Sequence, residues 1–232
     1  MSLAGDGAAV MWHEARPEVK ADYYEWHNRE HMPERVGIPG FRRGRRYIAL
    51  DGQPKFFVLY ETDTPATLTG ADYQLRLNNP TPWTRRNSAL LINTSRSLCR
   101  VAVSLGTGQG GLIMTLRYDV AQGCEEQHRR LLAHKILPVL ADRPGISGVH
   151  LLVADREASG IQTEEKKLRI QKAFIPGWVV LVEGGSETEP LDAACREMLT
   201  EQALTAAGAV APLHRDIYRL QYSRCKMPGS VG

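Results

Sequence analysis

The sequence has few of the features that would tie it to a metal, a nucleotide or a disulfide framework. Only four cysteines occur in 232 residues, and no two of them form a CxxC pair, so neither a zinc knuckle nor thiol–disulfide exchange is indicated. The motifs GxSxG, GxxxxGK[ST] and HExxH are absent. The glycine-rich stretch GTGQGG leads into a predicted strand instead of a helix, which argues against dinucleotide binding.

Excess charge of one sign and long apolar runs are also scarce. Lys+Arg number 29 and Asp+Glu 26, a net charge of +3, which does not favour binding to nucleic acid. No run approaches the roughly 20 apolar residues that span a bilayer. The opening residues, MSLAGDGAAV, have neither a basic start nor a long apolar segment. We therefore expect a cytoplasmic protein with no membrane or nucleic-acid partner.

What the sequence does contain is an internal repeat with a period of about 105 residues. AAVMWHEA at 8–15 and IMTLRYDV at 113–120 predict equivalent strands. Helices are predicted to follow at about 18–36 and 125–142, and each ends at a Pro-Gly pair. Proline cannot extend a helix and glycine accepts the left-handed turn that ends one, so both helices stop at equivalent points.

The remaining predicted elements give both halves the order βαββαβ, which is that of a ferredoxin-like unit with two helices on one sheet face. The uncovered sheet faces must pack together or close into a barrel. We therefore predict an α+β fold of two fused ferredoxin-like repeats, at 1–106 and 107–232, forming a pseudo-dimeric α/β barrel. The second repeat also has a charged insertion near 156–172 without a core pattern, which predicts an exposed loop.

Two stretches support this fold by resemblance. WHNREHMPERVGIPGF followed by RRY resembles the helix-to-strand signature of dimeric α/β barrel proteins, and NNPTPWTRR followed by SRSLCRV is similar to uncharacterised bacterial members with two fused repeats. The superfamily includes antibiotic-type cofactor-free monooxygenases, muconolactone isomerases, polyketide cyclases, ethyl tert-butyl ether degradation proteins, haem-dependent enzymes and stress-responsive proteins. The resemblance implies a bacterial protein that binds a small molecule, but a fold alone does not choose among these activities.

The first predicted helix carries polar residues that its repeat counterpart lacks. His27 and His31 are four residues apart and share one helical face, whereas Leu132 and Ile136 stand at the equivalent positions. Because histidine carries protons near neutral pH, we predict that His31 is a catalytic acid or base and that His27 assists it. The nearby helix end and neighbouring glutamates are expected to favour the protonated form. A role in core packing is the alternative for both histidines.

The second predicted strand, FRRGRRYIAL at 41–50, carries four arginines. Neighbouring residues of a strand point to opposite faces, so Arg43 and Arg45 share a face with Phe41 and Tyr47. A guanidinium binds a carboxylate with two hydrogen bonds. We therefore predict that Arg43 and Arg45 bind an anionic substrate and that Tyr47 assists catalysis, the alternative being a solvated strand.

Two tryptophans and a third histidine complete the predicted site. Trp26 and Trp83 offer broad surfaces for an aromatic ligand, although tryptophan at helical spacing is commonly a core residue. His13 lies on the first predicted strand and joins the site only if it points into the barrel. The predicted ligand is therefore a small aromatic or anionic molecule.

A metal or haem is less well supported. Two histidines at i and i+4 can bind zinc, but Asn28 follows His27 where a metalloprotease has its glutamate, and no third ligand is defined. Haem relatives exist, yet no CxxCH motif occurs. We expect no cofactor, and predict a cofactor-independent isomerase, cyclase or oxygenase. The alternative is a non-enzymatic ligand-binding or stress-associated protein, and a homodimer of pseudo-dimers stays open.

Overall fold

The computed structural model describes residues 3–169 and 175–226. Its strands form one closed antiparallel barrel in the order β1-β3-β2-β8-β5-β7-β6-β4. The strands are β1 (Gly7–Ala15), β2 (Phe41–Ala49), β3 (Phe56–Thr62), β4 (Leu91–Gly106), β5 (Leu112–Val120), β6 (Ile146–Ala154), β7 (Trp178–Gly184) and β8 (Ala209–Cys225). This confirms the predicted α+β fold of two fused ferredoxin-like repeats.

Each repeat supplies a four-stranded sheet, β4-β1-β3-β2 and β8-β5-β7-β6, and two joints close the barrel. β4 pairs with β1 over its first part and with β6 over its last part. β8 likewise pairs with both β5 and β2. These closing strands are 16 and 17 residues long, long enough to extend from one sheet into the other. The boundary at 106/107 lies between β4 and β5 and stays a prediction.

The helices cover the outer faces of the two sheets. The first repeat has α1 (Lys20–Trp26), α2 (Met32–Gly37), α3 (Ala71–Asn78) and α4 (Pro82–Ser88), and the second has α5 (Glu125–Leu131), α6 (Leu137–Ala141), α7 (Arg156–Gly160), α8 (Glu164–Lys167), α9 (Thr188–Met198) and α10 (Glu201–Ala206). A π-helical turn joins α1 to α2 at His27–His31, and another joins α5 to α6 at Leu132–Ile136. Within the described residues, no helix has the length and apolar character needed to cross a bilayer.

Apolar side chains fill the barrel as well as the space under the helices. Trp12, Tyr47 and Phe57 pack in the barrel interior, with ring centroids of Trp12 and Tyr47 lying 4.9 and 5.6 Å from that of Phe57. Separate clusters lie between each sheet and its helices. The barrel wall therefore divides inward-facing side chains from helix-facing ones, and this division decides which polar residues meet.

The segment near 156–172 differs from the predicted exposed loop. Its described part contains α7 and α8, and Ser159, Thr163 and Glu165 are buried. Thr163 begins α8 because its hydroxyl accepts a hydrogen bond from the Lys166 amide, at 3.2 Å. The loop prediction is therefore wrong for this part of the segment, while residues 170–172 lie outside the described residues.

Candidate functional site

The structure places the predicted site residues on two sides of the sheet of the first repeat. Tyr47 belongs to the cluster inside the barrel, and Arg43 and Arg45 face the same way as Tyr47. His27 and His31 lie on the helices outside the sheet. The side chains predicted to act together are thus separated by the barrel wall.

Inside the barrel, the two predicted substrate-binding arginines bind carboxylates of the protein itself. Arg43 donates to both oxygens of Glu61, at 2.8 and 2.6 Å. Arg45 donates to Glu61 at 2.9 Å and to both oxygens of Glu183 at 2.8 and 3.1 Å. Burial opposes ionisation of Glu183, but the hydrogen bond from His150 and the Arg45 charge hold its pKa at about 2. These contacts stabilise a charged network and do not form an open anion site.

Tyr47 is also a packing residue in this structure. Its side chain is fully buried, and burial raises the pKa of its hydroxyl. A bulge in the pairing of β2 with β3 falls between Phe41 and Arg43. Because the bulge shifts the alternation, Phe41 packs under the helices instead of sharing a face with Tyr47. The expectation that Phe41 and Tyr47 share one face is therefore wrong.

The side chains outside the sheet differ sharply between the two repeats. Both repeats have the π-helical turn, so the turn alone does not distinguish a site. The first repeat has a set of polar residues where the second has apolar ones. The equivalent pairs are His27 and Leu132, His31 and Ile136, Arg35 and Leu140, Arg46 and Leu151, and Tyr60 and Val182. Burying the polar side chains of the first repeat costs free energy, because polar groups in protein interiors normally need hydrogen-bond partners.

His13 lies on the helix-facing side of β1 and has a counterpart in the second repeat. Its Nε2 lies 2.9 Å from the Tyr23 hydroxyl. In the second repeat the residue types are exchanged, and the Tyr118 hydroxyl lies 2.9 Å from Nε2 of His128. A tyrosine–histidine hydrogen bond thus ties strand to helix in both repeats. We infer a structural role for His13, which does not point into the barrel.

His27 and His31 are neutral at pH 7, contrary to the expectation of an imidazolium. Burial lowers the pKa of His31 well below its ordinary value, and the charges of Arg35 and Arg169 lower it further. Burial likewise lowers the pKa of His27, with additional effects from His31 and Arg46. Glu30, which precedes His31 in the chain, accepts hydrogen bonds from two threonines of the α4 region.

A small cavity of about 40 Å³ lies beside His31. Its lining includes His31, Arg35, Tyr60, Arg96, Glu165 and Arg169. Three buried polar atoms of these residues have no hydrogen-bond partner within the described chain, namely Nδ1 of His31, the hydroxyl of Tyr60 and Nε of Arg169. Unpartnered polar atoms are uncommon in protein interiors. Three of them around one cavity indicate a site for a polar ligand or for water.

The charge around this cavity is mostly positive. Arg35, Arg96, Lys166 and Arg169 line it together with one carboxylate, that of Glu165. Glu165 forms ion pairs with Arg35 and, at 3.4 Å, with Arg169. Arg96 instead donates to the Tyr73 hydroxyl at 2.9 Å. An anion entering the cavity would therefore meet more positive than negative charge.

The two predicted tryptophans do not line the cavity. The Trp26 ring lies 4.4 Å from the His31 ring, and its indole nitrogen donates to Thr84 at 3.1 Å. Trp83 is partly exposed and donates to Asp22 at 3.0 Å. Trp26 thus holds His31 in place, and Trp83 attaches α4 to α1. Neither tryptophan would contact a ligand in this cavity, so their predicted role in ligand binding stays a prediction.

Among the described residues, the structure adds no third metal ligand to His27 and His31. In the ranges 3–169 and 175–226, no group of three histidine, cysteine, aspartate or glutamate side chains has a metal-binding arrangement. His27 and His31 have ring centroids 5.4 Å apart, and, besides burial, the charges of Arg46 and Arg35 lower their pKa values. Cations repel a metal ion, so the donor set does not fit a zinc centre.

Sequence reasoning missed five residues of this region. Arg35 and Arg46 were detectable, because the 105-residue offset pairs them with Leu140 and Leu151 as it pairs the histidines with apolar residues. Tyr60 lies in a strand that gave no signal beyond apolar character. Glu165 and Arg169 come from the second repeat, and no local pattern connects them with residues about 130 positions earlier.

Comparison with known proteins identifies the fold and leaves the activity open. No family model matches the chain, and no curated protein matches it either. Among solved structures it is similar to an anthrone oxidase-like protein, with a TM-score of 0.63, 10% identity and coverage of 97% of this chain and 96% of that one. A candidate monooxygenase from Fusobacterium nucleatum has a TM-score of 0.61, 9% identity and coverage of 97% and 96%.

A third similar structure is that of a major regulator of staphylococcal pathogenesis, with a TM-score of 0.53, 9% identity and coverage of 92% of this chain and 98% of that one. The chain thus has an α+β fold in which two ferredoxin-like repeats form one closed eight-stranded barrel, and it shares this fold with these structures. The TM-scores establish a shared fold, but at identities of 9–10% they establish nothing more, so function has to be argued from the site.

Proposed function

We propose that the protein binds a small anionic molecule in the cavity beside His31 and that His31 exchanges a proton with it. The observation that carries this proposal is the set of three unpartnered buried polar atoms around one cavity, on His31, Tyr60 and Arg169. A ligand with oxygen atoms would satisfy these groups. The excess of positive charge favours a ligand that is negative or becomes negative.

Each residue has a distinct part in such a proton transfer. His31 is neutral at pH 7 and can accept a proton, whereas an imidazolium could not. Burial raises the pKa of Tyr60, so its hydroxyl stays protonated and donates a hydrogen bond. Arg35 and Arg169 stabilise negative charge that develops on the ligand after it loses its proton.

The reaction class that fits is removal of a proton from an acidic C–H or O–H group without a cofactor. Isomerisation, cyclisation and oxygenation of an activated small molecule can each begin with this step. The similarity to an anthrone oxidase-like protein and to a candidate monooxygenase supports the oxygenase branch. The shared step, rather than one of the three outcomes, is the function that we assign.

Deuterium exchange tests this step without knowledge of the product. We would incubate small carboxylates that carry an acidic C–H beside a carbonyl with the protein in D₂O and follow the C–H signal by ¹H NMR. The wild type should accelerate loss of the signal for at least one compound. His31→Gln, which cannot return a proton, should lower that rate by about 100-fold or more, while exposed His134→Gln should leave it unchanged.

Melting temperature separates a chemical from a structural role of His31. If His31→Gln exchanges protons at the wild-type rate but melts at a much lower temperature, His31 is a core residue and the proposal fails. Retained folding with lost exchange supports the proposal. The same NMR samples report any new product, which would distinguish isomerisation from oxygenation.

A second candidate function is binding without conversion. It is favoured by the strongly lowered pKa of His31, because a base with a very low pKa accepts protons weakly. The structural similarity to a regulator of pathogenesis is in line with it. Ligand-induced shifts of protein signals without any exchange or product would support this second function.

A further inference from the structure

Glu165 belongs to the second repeat, yet its carboxylate lies in the cavity of the first. The side chain is only 4% exposed, whereas Glu164 and Lys167 of the same short helix are exposed to solvent. Arg35 donates to one oxygen of Glu165, and Arg169 lies 3.4 Å from the other. The Glu165 carboxylate thus forms ion pairs with both buried guanidinium groups.

This arrangement is the one that a carboxylate ligand would need. Two guanidinium groups that converge on one carboxylate provide charge and directed hydrogen bonds together. On its other side Arg35 is fixed by Glu34, with a 2.7 Å hydrogen bond. Beside the carboxylate of Glu165, the cavity is lined by His31 and Tyr60, which both present unpartnered polar atoms.

The cavity volume also indicates that a lining group has to move before a ligand enters. Ligand sites of proteins usually measure about 300–1,000 Å³, and about 40 Å³ has room for little more than a water molecule. Glu165 is a suitable group to move, because its helix has four residues and exposed neighbours. Its carboxylate would reach solvent without disturbing the barrel.

We propose that Glu165 holds the place of a ligand carboxylate, and that a carboxylate-bearing ligand enters by replacing Glu165 on Arg35 and Arg169. This inference rests on the proposed anion site and specifies its ligand class. The exchange keeps the charge of the buried cluster constant. A neutral ligand that displaced Glu165 would leave Arg35 with Glu34 alone and Arg169 buried without a carboxylate from the described residues, which is unfavourable.

Competition by Glu165 weakens ligand binding, since the site is available only when Glu165 has left it. Benzoate is a suitable probe because Tyr60, Tyr73 and Leu77 line the cavity beside the charged groups, and benzamide is its neutral control. Titration calorimetry would compare the wild type with Glu165→Gln and Glu34→Gln. Both variants remove one carboxylate from Arg35, but only Glu165 lines the cavity.

We expect Glu165→Gln to bind benzoate at least about tenfold more tightly than the wild type, without tighter binding of benzamide. Glu34→Gln should change benzoate binding by less than about threefold. Equal tightening in both variants would mean a general charge effect and would overturn the proposal. The proposal is also overturned if Glu165→Gln binds benzoate no more tightly than the wild type. In that case, benzoate binding to the wild type would still support an anion site.

Two further outcomes complete the test. If benzoate binds none of the three proteins, the place-holding role of Glu165 is refuted, while the proton-exchange assay decides separately on the role of His31. Melting temperatures establish that each variant is folded. Should Glu165→Gln be unfolded, Glu165→Asp replaces it, because the shorter side chain cannot reach both guanidinium groups equally well. The same tighter binding of benzoate is expected, and its absence overturns the proposal.

Discussion

The buried histidines of the first repeat make the stability of the protein sensitive to acid. Burial lowers the pKa of His13 from its ordinary value of 6.5 to about 3 and lowers those of His27 and His31 well below 6.5. Below pH 6.5 the unfolded chain therefore binds protons that the folded chain does not. Stability contributed by these histidines is complete above pH 6.5 and is lost as the pH falls, by about 1.4 kcal/mol per pH unit for each histidine.

The residues of the second repeat supply the variant that tests this acid sensitivity. His27→Leu with His31→Ile introduces the side chains found at the equivalent positions. We expect urea unfolding at pH 7.0, 6.0 and 5.5 to show a stability loss that is smaller by about 2.5 kcal/mol over this whole range in the double variant than in the wild type, most of it below pH 6.5. Exposed His134→Gln should leave the slope unchanged. Equal slopes in the double variant and the wild type would contradict the burial of neutral histidines.

Among the elements, the packing of α2 on β2 depends on Gly44. A Cβ atom at this position would lie 2.1 Å from Sδ of Met32 and 3.0 Å from the Tyr60 ring. The absence of a side chain therefore lets the helix that follows the π-helical turn approach the strand closely. The same contact positions the Tyr60 ring, which lines the cavity.

Gly44→Ala should accordingly lower the free energy of unfolding by about 1–3 kcal/mol, because an added methyl group forces Met32 and Tyr60 to move. Gly37→Ala is the matched control, since no atom lies within 4 Å of its added Cβ. Urea unfolding measures both variants. A loss for Gly44→Ala no larger than that for Gly37→Ala would show that helix and strand separate without cost.

At the scale of the whole molecule, a charged network joins the two repeats through the barrel interior. Arg45 of β2 binds Glu183 of β7, and both side chains are fully buried. The two repeats supply equivalent residues to this network. Glu61 and Glu183 occupy matching strand positions, and so do Arg45 and His150. The network connects the two sheets, and we infer that it helps to align them.

Arg45→Met should lower the free energy of unfolding by about 3–5 kcal/mol, because Glu183 would remain buried without its cation. Arg129→Met removes an arginine from an exposed ion pair with Glu126 and should change stability little. Urea unfolding of both variants at pH 7 gives the comparison. A small loss for Arg45→Met would contradict the inference that this ion pair aligns the two sheets.

The sequence alone predicted the order of elements, the two repeats and the polar first helix. These properties follow from local periodicity and from a constant offset, which need no knowledge of contacts. It also singled out His31, which lines the cavity, although a catalytic role for His31 stays a prediction. It did not predict the partners of His31, because Tyr60 gave no polar pattern and Glu165 belongs to the other repeat.

Only the tertiary structure decided which side of the barrel wall each polar residue occupies. Strand alternation tells which residues share a face, but packing of the sheet determines which face is inside, and the bulge after Phe41 changes the alternation itself. Arg45 therefore became part of an internal ion pair, while Arg46 came to lie beside the histidines. The contact of Arg35 with Glu165 joins residues 130 positions apart, and such a contact arises only when the chain has closed into a barrel.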